Sequence, residues 1–138
     1  MTKEIWVNLP VKNIEVAVAF FTAIGFSFNT NFGGDPKTAA CMLVGSKNVV
    51  VMLFQEQLFE SFTQKKLADT GVGSEVLFSI DAESKEEVDA LAAKVTAAGG
   101  TVYSPPALVQ GWMYGCGFID MDGHRWNVLF MDMAAMNG

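Results

Sequence analysis

The chain holds a single histidine, two cysteines, and nine Lys and Arg against fifteen Asp and Glu. Each shortage excludes something. One histidine with no serine placed to partner it leaves no Ser-His-Asp set. Cys41 and Cys116 both sit in apolar, strand-like runs, which reads as two buried free thiols in a reducing compartment, not as a secreted disulfide framework. A net charge of −6 lacks the basic footprint that nucleic acid requires, and it weakly favours a cationic ligand over an anionic one. No apolar run approaches the length of a membrane span, and Met1 to Trp6 contains no secretory h-region. The expectation is a cytoplasmic protein with no nucleic-acid or membrane partner. Gly33-Gly34 and Gly71-Val72-Gly73 lack the strand-to-helix setting of a phosphate loop.

What is present is a series of short, well-punctuated elements. Glu4 to Leu9 reads as a strand closed by Pro10, with Trp6 and Asn8 on one face. Asn13 suits a helix N-cap, and Glu15 suits the first turn. Ile14, Ala17, Phe20, Phe21 and Ile24 fall on one stripe, and Gly25 ends the helix. Phe26 to Phe28, Thr38 to Val44 and Asn48 to Phe54 read as strands, with an irregular helix over 55–69.

The pattern then restarts. Ser74 to Ile80 reads as a strand, and Ser84 caps a helix whose buried stripe is Val88, Leu91, Ala92, Val95 and Ala98. Gly99-Gly100 ends that helix. A short strand over 101–103, a Pro105-Pro106 loop and a final hairpin follow, with strands over 113–120 and 124–131. Asp122-Gly123 reads as a two-residue turn, which aims Asn127 away from the face of Trp126 and Val128. A tail over 132–138 is expected to pack through Met133 and Met136.

The two halves thus share one plan: strand, helix, glycine, short strand, loop, hairpin. The expected fold is α+β, with two paired βαβββ modules forming a curved mixed sheet, a cup with helices outside. The 138 residues form one domain, with module one at about 1–54, a connecting segment 55–73 and module two at about 74–131. A cup of this kind is a natural ligand site.

Two segments carry a resemblance to a known family. Val7-Asn8-Leu9-Pro10-Val11-Lys12-Asn13-Ile14, followed by Phe20-Phe21-Thr22-Ala23-Ile24-Gly25-Phe26, is similar to a strand, turn and helix that end in "F-Y-x-x-x-L-G-F". Phe118 to Asn127 is similar to "F-x-D-P-D-G-x-x-x-E". The chain resembles the vicinal oxygen chelate superfamily, which includes glyoxalase I, bleomycin-resistance proteins and extradiol dioxygenases. It looks most like small bacterial glyoxalase-like proteins. The resemblance implies a homodimer, and a divalent metal held by His, Gln and Glu that polarises two substrate oxygens.

Carried over by the motif anchors, the family's ligand positions fall on Trp6, Met52, Glu75 and Asn127. Only Glu75 is a good donor for such an ion: indole does not coordinate in the needed way, thioether suits soft metals, and an amide is weak. No metal ligand set and no cofactor are therefore expected. Glu75 has two readings, a solvated strand-start residue or a catalytic base on the cup face. His124 reads as a solvated turn residue, and Asp120 and Asp122 as turn-fixing side chains. Cys116 has no thiolate-stabilising neighbour in sequence. The ligand-binding candidates are Trp6, Asn8, Met52, Phe54, Trp112, Tyr114, Cys116, Phe118 and Asn127. Together they suggest an aromatic cup for a flat or cationic molecule.

The function expected is that of a metal-free, bleomycin-resistance-like protein binding a small organic molecule. A divalent-metal-dependent lyase of the lactoylglutathione lyase type, an isomerase or a dioxygenase is the alternative. A partner-binding domain whose cup is filled by its own rings is a third reading.

Overall fold

A computed structural model describes residues 1–134; of the expected tail contacts, Met136 lies outside them, and Met133 is exposed. The chain divides into two compact units, Met1–Asp69 and Thr70–Gly138. Each is a βαβββ module with its own mixed four-stranded sheet, so the expected α+β plan is the one observed.

The first module runs β1 (Val7–Val11), α1 (Ile14–Ala23), β2 (Ser27–Asn29), β3 (Ala39–Val44) and β4 (Val49–Gln55). Its strand order is β1-β4-β3-β2. β1 lies parallel to β4, and the other pairs are antiparallel. Alternation sorts the side chains. Leu9, Met42, Val51 and Leu53 are buried on the face that α1 covers with Ala17, Phe20 and Phe21. Asn8, Met52 and Cys41 form one row across the opposite face. A further helix, α2 (Glu56–Thr63), follows β4 and packs on β1 and β4.

The helix ends explain why the two halves look alike. The Asn13 side chain accepts from Val16 N at 3.0 Å. At the other end of α1, Phe26 N donates to Phe21 O at 2.9 Å and Gly25 N to Thr22 O at 3.1 Å. Gly25 has a φ of +111°. This is a Schellman stop, completed by an edge-to-face contact of Phe21 with Phe26 at 5.6 Å. The second module repeats it. Ser84 Oγ accepts from Glu87 N at 3.1 Å, and Gly100 N donates to Val95 O at 2.9 Å.

The second module runs β5 (Leu77–Asp81), α3 (Lys85–Ala97), β6 (Thr101–Val109), β7 (Met113–Ile119) and β8 (Arg125–Met131), in the order β5-β8-β7-β6. Phe78, Trp126 and Phe118 are register partners across three strands. Their rings pack in a row, with centroids 4.9 and 6.0 Å apart. Val88 and Val95 of α3, and Val128 of β8, are buried with them.

Proline and glycine placement differs from expectation in three places. Pro10 lies inside β1 instead of ending it, because β1 is an edge strand where a missing N–H is tolerated. Pro105 and Pro106 lie within β6, another edge, where the register against β7 shifts on either side of Ser104. The final turn is longer than two residues: Gly123 N donates to Asp120 O at 3.2 Å, and Asp120 N to His124 O at 3.0 Å. Only Gly123 takes positive φ there, at +87°, as in a turn closed by a glycine bulge. α2 also ends earlier than expected, at Gln64 in the left-handed region.

Candidate functional site

On the side of the first sheet away from α1, four sequence candidates come together. Trp6, Asn8, Met52 and Phe54 line a depression of about 790 Å³, within the roughly 300–1,000 Å³ usual for small-molecule sites. Strand alternation places Asn8, Met52 and Phe54 on this face, and Trp6, just before β1, continues it. The far wall is α2. Phe54 and Phe62 meet edge to face at 5.1 Å, Phe59 lies beside them, and Phe32 comes from the loop after β2. Glu4 is the single ionisable side chain in the lining. A second hollow of about 490 Å³ opens between α1 and β2–β3 and includes Cys41, whose thiol burial pushes up in pKa.

The contributions of Phe32, Phe59, Phe62 and Glu4 were not read from sequence. In sequence, Leu58, Phe59, Phe62 and Leu67 show only a weak helical periodicity within the irregular helix expected over 55–69. Its docking onto the open sheet face instead of a hydrophobic core is a tertiary fact.

The residues present do not fit the divalent metal that the resemblance implies. The positions that would supply ligands offer indole at Trp6, thioether at Met52 and amide at Asn127, of which only the amide oxygen is a donor for a hard or borderline catalytic ion, and a weak neutral one. Among the described residues no three His, Cys, Asp or Glu side chains are grouped to hold a metal ion. Glu75 is exposed, in a bend before β5.

In the second module the candidates separate onto two faces. Asn127 is half-buried and pairs in register with Ser79 and Gly117, on the face away from α3. Tyr114, Cys116 and Phe118 point the other way, towards α3. This corrects the expectation that Phe118 lines an open cavity, because it is fully buried against Trp126. Cys116 is likewise buried. Burial first, and then the Asp89 carboxylate, push its thiol up in pKa, so it is held as a thiol at neutral pH. Tyr114 donates its hydroxyl to Asp89 Oδ1 at 2.7 Å, and the Lys85 ammonium lies 5.7 Å from its ring centre. That hydrogen bond, followed by desolvation, raises the phenol pKa. Trp112 sits half-buried in the turn before β7, where its carbonyl accepts from Asp132 N at 2.8 Å.

The hairpin turn has one buried acid. Asp120 Oδ1 accepts from Asp122 N at 2.9 Å and His124 N at 3.0 Å. Oδ2 accepts from Trp126 Nε1 at 3.1 Å. Burial raises its pKa, opposed by the nearby His124 charge and by these hydrogen bonds. His124 is half-buried beside it. Asp120 therefore holds the turn to the core, and its carboxylate has no access to a ligand.

No family model matches the chain, and no curated protein does. Solved structures do. A hypothetical protein from S. aureus shares 34% identity over 94% of this chain and 95% of its own, with a TM-score of 0.83. A glyoxalase/bleomycin resistance protein/dioxygenase family enzyme from Burkholderia phytofirmans PsJN shares 18% identity over 91% of this chain and 96% of its own, with a TM-score of 0.76. A glyoxalase-related enzyme from Fulvimarina pelagi shares 16% over 94% and 88%, with a TM-score of 0.77. The chain belongs to one family with the staphylococcal protein, and its fold is that of the glyoxalase/bleomycin resistance/dioxygenase superfamily, the vicinal oxygen chelate fold.

Proposed function

We propose that the protein binds a small cationic aromatic molecule in the depression between α2 and the first sheet, without a divalent metal. One observation carries this reading: the rings of Trp6, Phe54, Phe59 and Phe62 surround a space of about 790 Å³ whose single ionisable lining residue is the acidic Glu4. Ring faces attract a desolvated cation by about 0.5–2 kcal/mol each, and a carboxylate at the wall adds to the same preference. The indole, thioether and amide at the family's ligand positions supply binding surface instead of metal donors.

Calorimetric titration tests it with N-methylquinolinium against its neutral isostere quinoline at mildly alkaline pH. The cation is expected to bind about tenfold more tightly, Glu4→Gln to reduce that preference, and Trp6→Ala to weaken both. Equal binding of the two probes, or no binding, overturns the ligand class. One equivalent of divalent metal per chain, in protein purified without chelator or metal-affinity steps, overturns the metal-free part.

The protein is also proposed to act as a homodimer. β1 and β5 are outer strands of their sheets. Exposed Ile5 and Trp6 precede β1, and exposed Val76 and Leu77 lie at the start of β5. Bare apolar edges of this kind favour pairing with a second copy. Light scattering at twice the chain mass is the expected result, and a monomer at micromolar concentration is the contrary one.

A further inference from the structure

The face of the second sheet that points away from α3 has a polar group that the reading above does not use. Ser79 and Asn127 are register partners, and Arg125 lies two residues before Asn127 on the same face of β8. Tyr103 comes over from β6. A Cβ added at Gly117 would meet its Cζ at 2.6 Å and its hydroxyl at 2.7 Å, so the phenol end covers the bare glycine beside Asn127. The Arg125 guanidinium lies over the Tyr103 ring, its Cζ 4.4 Å from the ring centre.

A ring is no acceptor of the kind a guanidinium's five N–H donors are matched to, so the contact leaves Arg125 able to hydrogen-bond an anion. Among the described residues, no ion pair or side-chain hydrogen bond engages Arg125, Asn127, Ser79 or Tyr103. Four donor-bearing side chains thus share one patch, with the Tyr103 ring seated over a bare glycine. The acid on this face, Asp81, sits at the far end, in register with Leu129 instead of Arg125. Next to Arg125, exposed Leu77 offers apolar contact.

We infer that this patch is a binding site for a small organic carboxylate, its oxygens held by Arg125 and Asn127 with the Tyr103 hydroxyl alongside, and its apolar body lying on Leu77. A carboxylate matches the planar fork of the guanidinium in a way that a spherical anion does not. The patch is built from second-module residues, none of which lines the first-module depression.

Titration of isotope-labelled protein with benzoate, followed by NMR, tests the inference, with benzamide as the uncharged isostere. Benzoate is expected to shift the Arg125 Nε–H and Asn127 side-chain amide signals in a saturable way, and benzamide is not. Arg125→Gln is expected to weaken benzoate binding about tenfold or more. Arg125→Lys, which keeps the charge but loses the fork, is expected to fall between. Tyr103→Leu, which removes the platform, should weaken binding as well. Excess N-methylquinolinium should leave the benzoate shifts in place, which separates this site from the other. Equal shifts by benzamide, wild-type affinity in Arg125→Gln, absence of saturation, or shifts confined to other residues would each overturn it.

Discussion

Trp126 Nε1 donates to Asp120 Oδ2 across the turn of the final hairpin, at 3.1 Å. The indole is about as buried as any group in the chain, at 1% exposure, and rings of Phe78 and Phe118 lie on either side. A buried indole N–H without an acceptor is costly, and the other Asp120 oxygen already serves two backbone N–H groups. One carboxylate therefore satisfies three donors. An amide has only one acceptor oxygen, so Asp120→Asn turns an NH2 group towards at least one of those donors. The expected loss is about 1–3 kcal/mol in urea unfolding.

The same carboxyl makes stability depend on pH. Burial lifts its folded-state pKa above the ordinary 3.8, so the folded chain binds this proton more firmly than the unfolded chain. Its contribution is complete below the ordinary value and is lost as pH rises through the raised folded value. Wild-type unfolding free energy is therefore expected to fall across that window relative to Asp120→Asn, which cannot titrate. Parallel pH profiles for the two proteins would contradict this.

His124 acts on that titration from the side. Its positive charge is the largest influence holding the Asp120 pKa down against burial. His124→Gln removes the charge, and the Asp120 backbone contacts do not need the imidazole. The Asp120 pKa, followed by carboxyl carbon NMR, is expected to rise further in this variant. A fall or no change would contradict that influence.

How far the sequence could be read follows from what each signal depends on. Asn13, Gly25, Ser84 and Gly99 act within a few residues of themselves, so both helix starts and both Schellman stops were legible. The alternation of Trp126 and Asn127 was legible for the same reason. Pro10 and Pro105-Pro106 were read as breakers, because a proline's meaning depends on whether its strand is an edge, and that is set by distant pairing. Gly115-Cys116-Gly117-Phe118 offers no polar residue to mark an outer face, so the side taken by Cys116 and Phe118 waits on their register with β8. Arg125 and Tyr103 were invisible as a pair because the residue that joins them is Gly117, which contributes only the absence of a side chain.

That absence can be tested directly. Methyl groups at Gly115 and Gly117 meet different obstacles. At Gly117 the close atoms belong to the Tyr103 ring end, with the nearest at 2.6 Å, and that ring is exposed and able to swing out. At Gly115 they include the Val128 carbonyl oxygen at 2.7 Å, which belongs to the β-ladder. Gly117→Ala is expected to cost about 1 kcal/mol and to displace Tyr103 from Arg125. Gly115→Ala is expected to cost more, towards about 3 kcal/mol, since backbone must yield. Urea unfolding ranks the two, and equal costs would contradict the argument.

Binding and folding can also be separated at the first-module depression. Phe62 is 61% exposed, and α2 buries none of its own residues, so the fold depends little on this ring. Phe54 is half-buried on β4 and part of the sheet surface itself. Both rings face the same space. Phe62→Ala is therefore expected to weaken N-methylquinolinium binding about three- to tenfold, the loss of one ring contact, with the melting temperature nearly unchanged. Phe54→Ala is expected to lower both. If Phe62→Ala binds the cation as wild type does, α2 is only packed beside the depression, and the aromatic wall must be rebuilt from Trp6, Phe32 and Phe54.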